Sequence, residues 1–239
     1  MSGHSKWAQI KRKKSLTDAK RGNLFSKLAR AISLAATGGQ DPAMNSKLRL
    51  AILHAKSFNM PSDNIERAVK RAATAKESSA LHEVMYEAYA SGGSAILIEG
   101  ITDNKNRMVA EIKHILAKHG GKLAEHGAVR WMFERVGIIV LERDKNRLLG
   151  PDDAELKMID AGAEEVVNDP EGTTIITSPE KRDDATSQLE KIGFHVSSSS
   201  DEWRPKTTEN LAPPPQALID ELESNDDIQN VWSNAEIIT

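Results

Sequence analysis

The sequence predicts an α+β multidomain protein: a basic three-helix N-terminal domain plus two ferredoxin-like α/β domains, one inserted in the other. Three observations carry that prediction. Apolar residues first recur at helical spacing, and after a polar stretch near residues 74–82 they switch to short strand-like runs alternating with helices. Charge divides at the same place: residues 1–76 hold 16 Lys plus Arg against Asp18, Asp41, Asp63 and Glu66, a net +12, whereas residues 77–239 sum to −15. Finally, a helix and a strand at the C-terminus cannot bury their apolar faces alone, yet they complete a sheet left unfinished earlier in the chain.

The first helix begins after Thr17, with Leu24, Phe25, Leu28, Ile32 and Ala35 on one face and Gly38-Gly39 as its stop. The second spans about Ser46 to Phe58, with Leu48, Ala51, Ile52 and Ala55 inward. Pro61 opens the third, whose inward residues are Ile65, Ala68, Val69 and Ala72. TAKESSALHE is then a linker. VMYEAYA and SAILIEGIT form a hairpin around Gly92-Gly93, Asp103 or Asn104 caps a helix that runs to His119 and stops at Gly120-Gly121, and a strand near Ala128 to Phe133 follows. The strand VGIIVLE, the helix PDDAELKMIDAG, the strands AEEVVN and TTIITS, a helix opened by Ser178-Pro179 and the strand FHVSSSS give the βαββαβ order of a ferredoxin-like unit. DEWRPKTTENLAPPP reads as a linker, PPQALIDELES as a helix and IQNVWSNAEI as a strand. The expected domains are therefore 1–76, a discontinuous α/β domain of 83–133 plus 206–239, and an inserted domain of 134–205.

Composition narrows the function. Cysteine is absent, which removes disulfides, thiolate nucleophiles and thiolate metal sites and fits a reducing compartment. The longest apolar runs fall far below the roughly 18 residues of a membrane span, and no apolar segment follows the basic N-terminus as in a signal peptide. A cytoplasmic protein with no membrane partner is the expectation. The sequence leaves monomer and weak dimer open.

The charge division points to a module made for a polyanion. Lys6, Lys11, Arg12, Lys13, Lys14, Lys20, Arg21, Lys27 and Arg30 fall within 25 residues, with Trp7 among them. Nucleic-acid binding needs cations that displace condensed counterions, and an aromatic face on which an unpaired base can stack. Lys47, Arg49, Lys56, Arg67, Lys70 and Arg71 add to the same bundle. A solvated basic tail is the plainer explanation of the first run alone.

Enzyme chemistry has little to stand on. The seven histidines show no HExxH pattern and no helical i, i+4 pair, so each reads as an ordinary histidine. Asp152-Asp153, Asp183-Asp184 and Asp226-Asp227 fall at expected helix starts or turns, where carboxylates complement the helix dipole. There is no P-loop and no GxGxxG, hence no cofactor, no metal and no small-molecule substrate is expected. A metal-dependent nuclease would need acids beside the bound phosphates, and the basic module has four in 76 residues.

GHSKWAQIKRKKSLTDAKRGNLFSKLARAI, NSKLRLAILHAKSFNMPSDNIERAVKRA and YEAYASGGSAILIEGITDNKNR together closely resemble the YebC/PmpR family. Many relatives carry YGPGG where this chain has Tyr86-Glu87-Ala88-Tyr89-Ala90-Ser91-Gly92-Gly93. The resemblance implies a basic helical domain and two α/β domains, the last inserted, in a protein that is not an enzyme. It implies nucleic-acid contacts at His4, Ser5, Lys6, Trp7, Lys11, Lys14, Lys20 and Arg21, and also at Arg30, Arg49, Lys56, Asn59, Arg67 and Lys70.

Three functions follow as expectations. The first is a DNA-binding transcriptional regulator in which phosphate contacts dominate, since no helix-turn-helix signature is readable. The second is a ribosome-associated translation factor that relieves stalling at proline runs, its bundle gripping ribosomal or transfer RNA. The third is a protein-interaction scaffold built on the acidic domains.

Overall fold

The structure, a computed structural model, describes residues 18–73, 81–142, 151–168, 172–207 and 212–235. Among the described residues it is an α+β fold with seven α-helices and two four-stranded antiparallel sheets. Helices α1 (Asp18–Ala36), α2 (Ser46–Ser57) and α3 (Ser62–Ala73) form an N-terminal bundle. The first sheet contains β1 (His82–Tyr89), β2 (Ala95–Thr102), β3 (Lys122–Leu123) and β8 (Ile228–Ser233), with α4 (Lys105–Lys118) and α7 (Gln216–Ser224) on one face. The second contains β4 (Phe133–Glu142), β5 (Glu165–Asn168), β6 (Gly172–Thr177) and β7 (Val196–Pro205), with α5 (Pro151–Asp160) and α6 (Pro179–Lys191).

The second sheet has the order β5-β6-β4-β7, the ferredoxin-like arrangement of a βαββαβ unit. The first has the order β3-β1-β2-β8, with Ile98 of β2 opposite Val231 of β8. Its last strand therefore arrives only after the whole second sheet has been laid down in sequence.

Both sheets are covered on both faces. In β4, Ile139 and Leu141 point toward the second sheet's own helices, while Val136, Ile138 and Val140 join the core of the N-terminal bundle with Leu28, Ile32, Leu48 and Ile65. This explains the unbroken apolar run GIIVL, since a strand buried on both sides needs no polar alternation. In β2, Ile96 and Ile98 pack on α4 and α7, and Ala95 and Leu97 pack with Val129, Phe133, Trp203 and Trp232.

Two local expectations fail. Residues 128–132 are not a strand; Arg130–Met132 form a single 3₁₀ turn and β4 starts at Phe133. The cause is the carboxylate of Glu87, which accepts from the backbone N–H of Gly127 (2.6 Å), Val129 (2.7 Å) and Arg130 (2.9 Å), occupying donors that a sheet ladder would use. Likewise DEWRP is not linker but the second half of β7, paired with β4 as far as Phe133 opposite Pro205. There Trp203 joins the apolar cluster that covers the first sheet.

Candidate nucleic-acid interface

The bundle is fastened by its turns. Asn45 caps α2 by accepting from the Leu48 N–H at 3.1 Å, and its amide donates to the carbonyls of Ala35 (2.8 Å) and Gly39 (2.7 Å). One side chain thus fixes the angle between α1 and α2. At the other end of α2, Asn59 has φ 57°, and the Met60 N–H returns to the Ala55 carbonyl at 3.1 Å. A left-handed residue after a helix is a position that asparagine tolerates, which gives Asn59 a conformational role at the site where a ligand contact was expected.

These turns set the cations in two groups. Arg67, Lys70 and Arg71 are exposed on α3, opposite its buried Ile65 and Ala68. Lys70 makes an exposed pair with Glu66 at 3.5 Å, and Arg67 is hydrogen-bonded to Asn64 and to the Asp63 carbonyl. Arg49 and Lys56, seven residues apart on one face of α2, are exposed beside a cleft of about 440 Å³ whose lining includes Ile52, Leu53, Ile65 and Glu66. Lys47 is exposed on the same helix, and Arg21 is exposed on α1.

The second group faces inward. Lys27 is only 7% exposed and donates to the Glu223 carbonyl, while Asn23 donates to the Ser224 carbonyl and to Asp226. Arg30 donates to Asp227. Lys27 and Arg30 thus sit in the seam between α1 and the turn after α7, where anionic and carbonyl oxygens already occupy the directions a phosphate would take. His4, Ser5, Lys6, Trp7, Lys11, Arg12, Lys13 and Lys14 lie outside the described residues, as does the side chain of Lys20.

Asp227 carries a role that its position near a turn does not reveal. Its carboxylate is 4% exposed and accepts from Thr102 Oγ1 (2.8 Å), from Arg107 (2.7 Å) and from Arg30. Burial opposes its charge, but those three hydrogen bonds and the positive charge of Arg30 prevail, holding the carboxyl below its ordinary range. Only the aspartate doublet hinted at it in the sequence, since Arg30 and Arg107 are distant along the chain. Among the histidines, His119 meets Glu221 at 2.8 Å and His126 lies 3.4 Å from Glu87. Among the described residues no group of three or more His, Asp or Glu side chains is placed to hold a metal ion, and no helix is long and apolar enough to cross a membrane.

Comparison with known proteins adds to this geometry. Residues 5–75 match the model of the TACO1/YebC protein N-terminal domain, and residues 81–235 match that of the TACO1/YebC second and third domain. A probable transcriptional regulatory protein of Thermoanaerobacter pseudethanolicus is 46% identical over 99% of this chain and 98% of its own length. A probable transcriptional regulatory protein of Geobacillus kaustophilus is 44% identical over 98% of this chain and 97% of its own. The crystal structure of a conserved hypothetical protein from Aquifex aeolicus superimposes with a TM-score of 0.83 at 41% identity, covering 98% of each chain.

Proposed function

The chain belongs to the TACO1/YebC family, and from that premise we propose that it is a non-enzymatic, nucleic-acid-binding regulator of gene expression that acts on DNA. Relatives named as probable transcriptional regulatory proteins support the regulatory part of this reading. The observation that carries the nucleic-acid part is the exposed cationic face of α3, Arg67, Lys70 and Arg71, together with exposed Arg49 and Lys56 on α2. Side chains of this kind gain free energy by releasing counterions from phosphates. Contacts to phosphate position a protein without reading sequence, so the expected binding is weakly selective. The remainder of the chain is acidic on average and is repelled from the same polyanion, which makes the bundle the part that engages it first.

The test is a salt titration of duplex binding. Five phosphate contacts give a slope of log K against log salt of about −4.5. Binding that ignores salt, or no binding at all, rules the reading out. A second reading, contact with ribosomal or transfer RNA in a cytoplasmic translation factor, is favoured by Trp7 within the basic run, because a duplex offers no unpaired base to stack on. Co-sedimentation with ribosomes that is lost in the Arg67→Ala/Lys70→Ala variant would support it, and co-sedimentation unchanged by those substitutions would reject it.

A further inference from the structure

The geometry points to Trp131 as a stacking platform for an unpaired nucleobase, a second contact for nucleic acid carried by the acidic part of the chain. The inference rests on the nucleic-acid reading above, and it adds a substrate class, single-stranded or looped segments, that the phosphate contacts alone do not select.

Trp131 is 64% exposed, whereas Trp203 and Trp232 pack into the apolar cluster over the first sheet. So large an exposed ring has no core to explain it. Nor is it loose: its Nε1 donates to the Ala128 carbonyl at 3.0 Å, and the Tyr89 hydroxyl donates to the same oxygen at 3.3 Å. The loop that presents it is held from beneath by Glu87, a 3% exposed residue whose carboxylate accepts from the N–H groups of Gly127, Val129 and Arg130. A buried charge is costly unless well satisfied, and here it fixes one short surface turn. The result is a rigid aromatic face on the protein surface.

The surroundings suit a nucleic-acid strand. Arg130 is exposed with its guanidinium 5.0 Å from the Trp203 ring centre, and Lys122 lies 6.0 Å from the Tyr89 ring centre. Lys206 is exposed and its backbone N–H joins the Met132 carbonyl at 2.9 Å. Arg130 and Trp131 are neighbours in one short turn, and a cation carried next to an exposed ring suits a phosphate next to a base. Because the indole N–H is already used within the loop, the ring offers its face and no donor. The stacking is therefore tolerant of base identity, and a duplex, whose bases are stacked inside, does not engage it.

The experiment uses the full chain, Trp131→Ala and Trp131→Phe, with a fluorescein-labelled single-stranded oligothymidylate and a duplex of equal length. Trp131→Ala is expected to weaken single-strand binding about tenfold and leave duplex binding unchanged, while Trp131→Phe stays within about twofold on both. Indole emission quenched by the single strand should lose the part due to Trp131 in the Trp131→Phe chain, a readout that a purely structural role would not move. Unchanged single-strand affinity and unchanged quenching overturn the platform and leave the phosphate reading standing. An equal loss on both probes also overturns it. Failure of the wild-type chain to bind either probe overturns both readings.

Discussion

Arg30 on α1 is ion-paired with Asp227, 197 residues later in the chain, and this contact ties the basic bundle to the first sheet. Asp227 also anchors Thr102 and Arg107, so one carboxylate closes a junction among three segments. Asp227→Asn takes the anion from Arg30, leaves Arg107 with Asp103 alone, and should cost about 1–3 kcal/mol. Urea denaturation measures it. A midpoint within experimental error of wild type would show that the junction contributes nothing to stability.

Acid should undo the same junction. Asp227 and Glu87 are both held below their ordinary range; for Glu87, burial opposes charge, and the N–H groups of Gly127, Val129 and Arg130 with the charge of His126 overcome it. A folded pKa below the unfolded one gives stability that is complete above the unfolded value and lost as pH falls through the folded one. The melting temperature is thus expected to hold down to about pH 4 and drop below it. In Glu87→Gln the melt should start lower and fall less steeply with acid.

Glu99 has the opposite sign. Burial raises its pKa, the hydrogen bond from Asn230 offsets only part of this, and Glu83 and Glu202 add to the rise. Its charge therefore opposes folding at neutral pH. Glu99→Gln should stabilise the protein by about 0.5–2 kcal/mol at pH 7. The gain should shrink as pH falls and the wild-type carboxyl takes up its proton, which paired denaturation curves at pH 7 and pH 4.5 would check.

The cations divide into two experimental classes. Lys70→Ala and Arg67→Ala remove exposed charges and should each reduce the salt slope of duplex binding by about 0.9 without moving the melting temperature. Lys27→Ala removes a buried donor to Glu223 and should lower stability by about 1–3 kcal/mol instead. Equal behaviour of the two classes in both assays would contradict the division.

Gly100 lies at a register shift in the β2–β8 ladder, and a Cβ there would stand 2.8 Å from the Asp227 carbonyl oxygen and closer still to Met108. Met108 is flexible, but the carbonyl is not. Gly100→Ala should cost about 1–3 kcal/mol by calorimetry. A neutral result would mean that β8 can move away without loss.

Much of this architecture is legible in the sequence because it is local. The three bundle helices, the hairpin at Gly92-Gly93, Asn104 as the cap of α4 and the βαββαβ run all follow from spacing within a few residues. What escapes is long-range. In α1 the run of basic residues gives no sign that Lys27 and Arg30 differ from their neighbours, because Glu223 and Asp227 lie about two hundred residues on. AVRWMF reads as a short apolar strand, and only Glu87, on another strand, converts it to a turn. The bundle's basic composition likewise conceals that its apolar core continues into Val136, Ile138 and Ile176 of the second sheet.

The order of strands has a consequence for biosynthesis. When β1, β2, α4 and β3 leave the ribosome, β2 has an open edge, because its neighbour β8 lies more than a hundred residues downstream. At about 5–20 residues per second that edge stays bare for on the order of ten seconds. The apolar core shared by the bundle and the second sheet is already made and can close meanwhile, while Lys27 and Arg30 still await Glu223 and Asp227. The nascent chain thus passes through a stage with its cationic helices folded and its first sheet unfinished, in which that edge is the segment most exposed to pairing with another chain.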